Sequence, residues 1–392
     1  MFNLTTEDIK TNHAIHTASE IYQQPEVWKE LSEMMERDGA TFQQFIEGIF
    51  NKHEQTRVIF TGAGTSAFAG DTLTPALNRQ EKRHVQYEAI ATTDIVSNPT
   101  EYFGQKIPTI LVSFARSGNS PESVASVELG QNIVEDFYQV IITCNKDGQL
   151  AKNVQNDANS IVLLMPEKSN DQSLAMTSSF STMSLAAYGL FAYSLFTEKN
   201  VQQLISYGEE LREHVGDVVD DILTFDFERA IYLGSGSLAQ LAHEGALKML
   251  ELSSGKVVAY HESSLGFRHG PKSILNNQSL AIVFVSEDEY TRKYDIDILK
   301  ELAKIDNGMK VVALTGRQDP LVETLADWTI PVVTADDKIA NDFYISLLYI
   351  VFAQVLAMKK SIQLGNTPDN PSPDGTINRV VEGVTIYPYE QQ

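Results

Sequence analysis

The chain holds a single cysteine, Cys144, among 392 residues. That excludes a disulfide framework and any metal site built from several cysteines. Cys144 closes an apolar run from Val140, which predicts a buried, inert strand thiol. Positive charge is also scarce: 30 Lys and Arg stand against 52 Asp and Glu, a net charge of -22. Such a chain lacks the basic face that nucleic acid or an anionic membrane requires, so neither is expected as a partner. An anionic substrate must then be gripped by local groups against an unfavourable overall field. The N-terminus, Met1-Phe-Asn-Leu-Thr-Thr-Glu-Asp8, has neither a basic n-region nor an apolar h-region. No signal peptide is expected, and the expected compartment is the cytoplasm. Long apolar runs are few. Leu174 to Phe196 is uncharged but polar in its first third. Phe343 to Met358 contains Ser346 and Gln354 and is short for a span. Both predict buried helices.

The balance of 43% apolar and 21% charged residues is that of a globular protein, and the length suits two domains. Residues 1–46 read as an N-terminal helical segment, with apolar residues three and four apart in Pro25–Leu31 and again from Phe42 to Ile49. No chemistry is visible there. From Arg57 the period changes, and strand-length apolar runs alternate with helix-length segments. The strand candidates are Val58–Thr61, Val85–Ile90, Thr109–Phe114, Tyr138–Thr143 and Ile161–Met165. After a helical stretch from Val201 to Leu223 come Ala230–Leu233, Val257–Tyr260, Leu280–Val285, Lys310–Leu314 and Trp328–Pro331. This alternation predicts α/β architecture: two tandem domains, 47–205 and 215–365, each a parallel sheet flanked by helices in a flavodoxin-like three-layer α/β/α arrangement. Residues 366–392 form a breaker-rich tail. Val384-Thr-Ile-Tyr-Pro-Tyr389 within it reads as one edge strand.

The two domains read as one unit written twice. Arg57-Val-Ile-Phe-Thr-Gly-Ala-Gly-Thr-Ser66 returns as Arg229-Ala-Ile-Tyr-Leu-Gly-Ser-Gly-Ser237. In each, a strand turns on two glycines into a helix start. Glycine lets the backbone come close, and the helix N-terminus offers N–H groups to an anion. In the first copy Gly64, Thr65 and Ser66 line that turn. A second polar loop, Arg116-Ser-Gly-Asn-Ser120, opens onto Pro121-Glu122, where Ser120 is placed to cap a helix and Pro121 to start it. The carboxyl ends of parallel strands share one edge, so both loops lie along it. Together they offer Thr65, Ser66, Ser117 and Ser120 hydroxyls and the Arg116 guanidinium. Either loop alone reads equally well as an ordinary Ser/Gly turn; the pair suits a phosphate dianion.

The second copy departs from this. Val285-Ser-Glu-Asp-Glu-Tyr290 stands where the first has Ser113-Phe-Ala-Arg-Ser-Gly, and three carboxylates would repel a phosphate. Instead this copy carries His243-Glu-Gly-Ala-Leu-Lys-Met-Leu-Glu-Leu252, which puts Glu244, Lys248 and Glu251 on one helix face. Such spacing commonly marks a solvated, ion-paired face. Downstream, His261-Glu-Ser-Ser-Leu-Gly-Phe-Arg-His-Gly-Pro-Lys272 is a polar loop with two histidines, where chemistry is more common than on a core face.

These stretches together resemble the SIS (sugar isomerase) superfamily, in an arrangement like the isomerase half of glucosamine-6-phosphate synthase without its glutaminase domain. Leu174-Ala-Met-Thr-Ser-Ser-Phe180, Gly266–Ser273 and Asp369–Thr376 resemble its galactosamine-6-phosphate deaminase/isomerase group, also called tagatose-6-phosphate ketose/aldose isomerase. The resemblance places Ser66, Ser117 and Ser120 at the sugar phosphate, Glu251 as the base and His269 at ring opening. It implies a homodimer, since the synthase's histidine comes from a neighbouring subunit. Thr177 and Ser178 are expected at the substrate, and Lys248 is expected to orient Glu251 or stabilise an enolate-like oxygen. Two positions depart from the synthase: Ala115 replaces a phosphate-binding serine, and Arg116 replaces glutamine. Glu382 aligns with the synthase's catalytic lysine, so no lysine Schiff base is implied there.

The implied reaction converts a phosphorylated amino sugar, galactosamine 6-phosphate, to a ketose 6-phosphate and ammonia. No metal and no cofactor are expected, because a carboxylate close to both carbons suffices for a 1,2-proton shift. Isomerisation of a neutral hexose 6-phosphate needs the same residues. A non-catalytic sugar-phosphate regulator is the reading from another class, and residues 1–50 show no basic helix-turn-helix to favour it.

Overall fold

The computed structural model describes residues 1–80, 84–333, 338–381 and 383–390. Among the described residues ten strands form two five-stranded sheets. The first contains β1 (Thr56–Thr61), β2 (Val85–Ala89), β3 (Thr109–Ala115), β4 (Phe137–Thr143) and β5 (Ser160–Leu164). Its order is β2-β1-β3-β4-β5, and every pairing is parallel. The second contains β6 (Arg229–Gly234), β7 (Val258–Ser263), β8 (Ser279–Phe284), β9 (Lys310–Thr315) and β10 (Trp328–Pro331). It runs β7-β6-β8-β9-β10, again all parallel. Both sheets therefore have the doubly wound 2-1-3-4-5 order, which reverses between the first and third strands of each copy.

The strands read as near-continuous apolar runs because helices cover both faces of a parallel sheet. All seven residues of β3 and all seven of β4 are buried.

The chain divides into two compact units, one for each sheet. The unit of the first sheet comprises Val27–Asp171, Ser178–Thr197 and Gly375–Gln392. Ile59, Leu111 and Ile141 of its strands pack with Val127, Leu129 and Ile133 of the helix Pro121–Ile133. Also within this unit, every residue of the helix Ser178–Phe191 is buried, and Trp28 Nε1 donates to Ser181 Oγ at 3.0 Å.

The unit of the second sheet comprises Met1–Glu26, Gln172–Thr177 and Glu198–Asp374. The first helices, Thr6–Thr11 and Ile15–Tyr22, belong to it. The Asp369 carboxylate ties the second of them to the tail: it accepts from the His16 and Thr17 amides and from Thr17 Oγ1. The helix Asp342–Gln363 lies in this core. Among the described residues it is long and apolar enough to cross a membrane, but 94% of its apolar window is buried within the protein.

Two expectations are corrected. The periodic stretches at 25–31 and 42–49 belong to one continuous helix, Gln24–Lys52. Val384 to Tyr389 forms no strand. Gly383 turns the chain at φ +80 just before it, and Pro388 has no N–H to give a ladder. Glu382 lies outside the described residues.

Candidate active site

The reversal of strand order falls between β1 and β3, and the two polar loops of the first copy sit there. A Cβ on Gly62 would lie 2.5 Å from the Ser66 carbonyl carbon, so only glycine lets the helix Thr65–Asn78 start this close to β1. Gly64 then takes φ +55 and begins that helix without a side-chain cap. The first turn offers its N–H dipoles at the strand edge, with the Thr65 and Ser66 hydroxyls beside them. Ser117 and Ser120 stand on the loop after β3, where Gly118 takes φ +68. Ser120 occupies the N-cap position and Pro121 the first turn, as their order in the sequence predicts, yet the Ser120 hydroxyl makes no capping bond. The 145–150 segment holds the loop in shape. Asn145 Nδ2 donates to Ser117 O at 2.8 Å, and the Leu150 amide donates to Gly118 O at 3.1 Å. Arg116 is buried, and its Nη2 donates to Arg379 O at 2.9 Å.

The second copy repeats the backbone and fills the space. Gly234 meets Leu238 as Gly62 meets Ser66, and Gly236 takes φ +58. Here Asp295, on the helix Thr291–Leu302, collects the donors around this switch point. Its Oδ1 accepts from Ser235 Oγ and Ser264 Oγ, both at 2.6 Å, and its Oδ2 accepts from the Ser286 amide at 3.0 Å. Those donors follow β6, β7 and β8. Asp295 is wholly buried, and that burial raises its pKa despite the three opposing hydrogen bonds. The acids of the 285–290 loop are partly neutralised: Glu287 pairs with Arg292 at 2.8 Å, and Asp288 caps Thr291. A built-in carboxylate thus takes up the donors at the second copy's switch point.

Glu244, Lys248 and Glu251 do share one face of the helix Ser237–Leu252, but it is not a solvated face. The side chains of Glu244 and Lys248 have no exposure, and that of Glu251 keeps 21%. Lys248 Nζ lies 3.4 Å from Glu244 Oε1 and 2.6 Å from Glu251 Oε2. Burial pulls the lysine pKa down, yet the two carboxylates more than offset this and leave it raised. The cluster is a buried ammonium clamped between two carboxylates, with only Glu251 reaching solvent. A fixed and accessible carboxylate of this kind can accept a proton from carbon and return it.

His269 follows a short turn, Gly266–Arg268, and its side chain is exposed. Arg268 pairs with Asp297 at 2.8 Å and Glu301 at 2.5 Å, and Lys272 also pairs with Glu301, so ion pairs hold the loop on both sides of the histidine. Among the described residues no side-chain hydrogen bond reaches the His269 ring. The other two histidines stack: His243 and His261 have ring centroids 3.8 Å apart and planes 14° apart. Burial, with His261 as a lesser cause, pulls His243 down to about 4, and burial also lowers His261 against the opposing charge of Glu262.

Of the remaining expected site residues, Thr177 and Ser178 are fully buried. The Ser178 amide donates to Asp171 Oδ1 at 3.1 Å. Cys144 is buried as expected, and burial pushes its thiol up to about 12. Two residues escaped the sequence reading, Asp295 and Arg379, and Glu244 was placed on the right face but not as buried. The available signal for Asp295 was a carboxylate in the apolar phase of Ile296, Ile298 and Leu299. For Arg379 no local signal exists, because its partners lie far away in sequence.

The SIS domain family model matches residues 53–193 and 225–359, one match for each sheet. The chain belongs to the SIS domain family and carries the domain twice. It is similar to the D-galactosamine-6-phosphate deaminase AgaS of Escherichia coli O157:H7, 38% identical over 375 residues that cover 95% of this chain and 96% of the relative. It is also similar to the crystal structure of tagatose-6-phosphate ketose/aldose isomerase from Escherichia coli, with a TM-score of 0.87 and 36% identity over 95% of this chain and 97% of that one. The fold extends to the C-terminal domain of glucosamine-fructose-6-phosphate aminotransferase from Francisella tularensis, with a TM-score of 0.70 and 20% identity over 91% and 98% of the two chains.

Proposed function

We propose that this chain catalyses the isomerising deamination of an amino-hexose 6-phosphate, taking galactosamine 6-phosphate and water to tagatose 6-phosphate and ammonia. The observation that carries the reading is the buried Glu244–Lys248–Glu251 cluster with Glu251 alone exposed. It is a poised base without a structural need to be there, since buried ion pairs add little net stability. In this reading residues 47–205 supply phosphate binding, through Gly64, Thr65, Ser66, Arg116, Ser117 and Ser120. Residues 215–365 supply the acid–base groups, and Thr177 and Ser178 serve the sugar. Holding the C6 phosphate orients the sugar for the proton transfers.

His269 opens the pyranose by moving a proton between O1 and O5. Glu251 takes the C2 proton, giving an enaminol, and returns it to C1, giving a C2 imine. Water adds to that imine and ammonia leaves, so the ketose oxygen comes from water. Lys248 holds Glu251 Oε2 and offsets negative charge as it develops. The chain works as a homodimer in which the exposed His269 serves the partner's substrate, and it works in the cytoplasm. The SIS relatives support this assignment, since a close one is named for the same deamination.

The name of the Escherichia coli isomerase structure favours a second reading, aldose–ketose isomerisation of a neutral hexose 6-phosphate by the same residues. One experiment addresses both. Ammonia and ketose are measured from galactosamine 6-phosphate and from a neutral hexose 6-phosphate, with wild type and Glu251→Gln. Ammonia release by wild type that is lost in the variant is the expected result. Ketose from the neutral sugar alone would select the second reading, and undiminished turnover in the variant would sink both.

A further inference from the structure

We propose that Arg379, in the C-terminal tail, is a positioning residue that holds Arg116 for the phosphate. This rests on the assignment of Arg116 to the phosphate loop made above.

Both residues belong to the unit of the first sheet. Arg116 follows β3 and is 7% exposed, while the strand's last residue, Ala115, brings no polar group to the loop. A guanidinium is a rigid plane of five donors, and it grips a phosphate well only when that plane is aimed. Its Nη2 donates to the backbone carbonyl of Arg379 at 2.9 Å. That carbonyl is itself pinned by the Arg379 side chain. Arg379 Nε donates to Asp171 O at 3.0 Å, its Nη2 bonds the same carbonyl, and Nη2 also donates to Asn170 Oδ1 at 3.1 Å. Asp171 is in turn fixed, because its carboxylate accepts from the Ser178 and Ser179 amides at the start of a fully buried helix.

The chain of contacts thus runs from a rigid helix start, through Asp171 and Arg379, to the plane of Arg116. A second observation puts both cations in one neighbourhood: each bears electrostatically on the buried Cys144 thiol. The tail looks in sequence like a breaker-rich loop with no ladder to join. Here its Arg379 side chain bonds the 170–171 backbone and side chain, and its Arg379 carbonyl meets the guanidinium of Arg116. The geometry explains why an arginine fits at 379: a bidentate grip on one carbonyl plus an amide oxygen needs a planar fork, which lysine lacks.

The test is a double-mutant cycle read by phosphate affinity. The dissociation constant for inorganic phosphate is measured by calorimetry for wild type, Arg379→Ala, Arg116→Ala and the double variant, with kcat and KM for galactosamine 6-phosphate alongside. Arg379→Ala is expected to weaken phosphate binding and raise KM by roughly tenfold, the order of one charge-assisted hydrogen bond, with kcat within about twofold. In the Arg116→Ala background the same change is expected to do nothing further. Arg379→Lys should fall between wild type and alanine. Additive losses in the cycle, or phosphate affinity unchanged in Arg379→Ala, would overturn the inference, as would a wild type that binds no phosphate. A wild type that binds phosphate and gives the non-additive cycle but turns over no hexosamine phosphate defeats the proposed reaction and leaves the positioning role standing.

Discussion

The two switch points share a backbone and differ in what fills them. At the first, two glycine-shaped loops bring hydroxyls, helix N–H groups and Arg116 to the end of β1 and β3. At the second, the same turn on Gly234 and Gly236 is closed by Asp295, whose carboxylate takes up donors from three loops. A repeated fold need not keep a repeated site. One buried carboxylate is enough to satisfy the donors of three loops at such a turn. The buried ion cluster then stands on the helix that leaves this closed turn, at Glu244, Lys248 and Glu251.

The contrast can be broken most severely at Lys248. Replacing it in Lys248→Met strips the cation from a wholly buried carboxylate and from Glu251. The expected loss is about 3–5 kcal/mol, the usual cost of removing one partner of a buried pair. It would appear as a large drop in the denaturation midpoint at pH 7, and Glu244→Gln in the same chain should restore part of it. A midpoint unchanged in Lys248→Met would mean that the cluster is not the charge-balanced unit described.

A smaller effect sharpens the comparison directly. Asp295→Ala leaves the Ser235 and Ser264 hydroxyls and the Ser286 amide without their acceptor, at a cost of about 1–3 kcal/mol. If Asp295 stands in for an anion, millimolar inorganic phosphate should raise the variant's melting temperature more than that of wild type. Equal phosphate shifts in the two proteins would show that the second turn never was an anion site.

Much of this was legible in the sequence, and the failures have a common cause. Nine of the ten strands sit within two residues of their apolar runs at both ends, because a strand buried on both faces advertises itself locally; the half-buried β7 runs three residues past the expected Tyr260. The glycine pairs gave away the turns, since a helix starting so close to a strand leaves no room for a Cβ at Gly62 or Gly234. The i, i+3, i+4 spacing put Glu244, Lys248 and Glu251 on one face but said nothing about which way it points. Burial is decided by what packs there, and that comes from elsewhere in the chain. Asp295 and Arg379 were missed for the same reason, as Asp295 gathers Ser286, Ser264 and Ser235 from 9, 31 and 60 residues away and Arg379 reaches Asp171 over 208. Val384 to Tyr389 misled because strand-forming residues need a neighbouring strand as well as a composition. The continuous helix Gln24–Lys52 was read in two pieces because Gly39 and Thr41 interrupt its apolar period.

The proposed function divides the labour: the first domain would grip phosphate and the second would move protons. Steady-state kinetics on galactosamine 6-phosphate, comparing Ser66→Ala and Ser117→Ala with Glu251→Gln, tests it most directly. The serine variants are expected to raise KM by roughly tenfold with kcat almost unchanged, and Glu251→Gln to lower kcat by about 10²–10⁴ with KM almost unchanged. Serine changes that lower kcat while leaving KM alone, paired with a Glu251 change that only raises KM, would contradict the account.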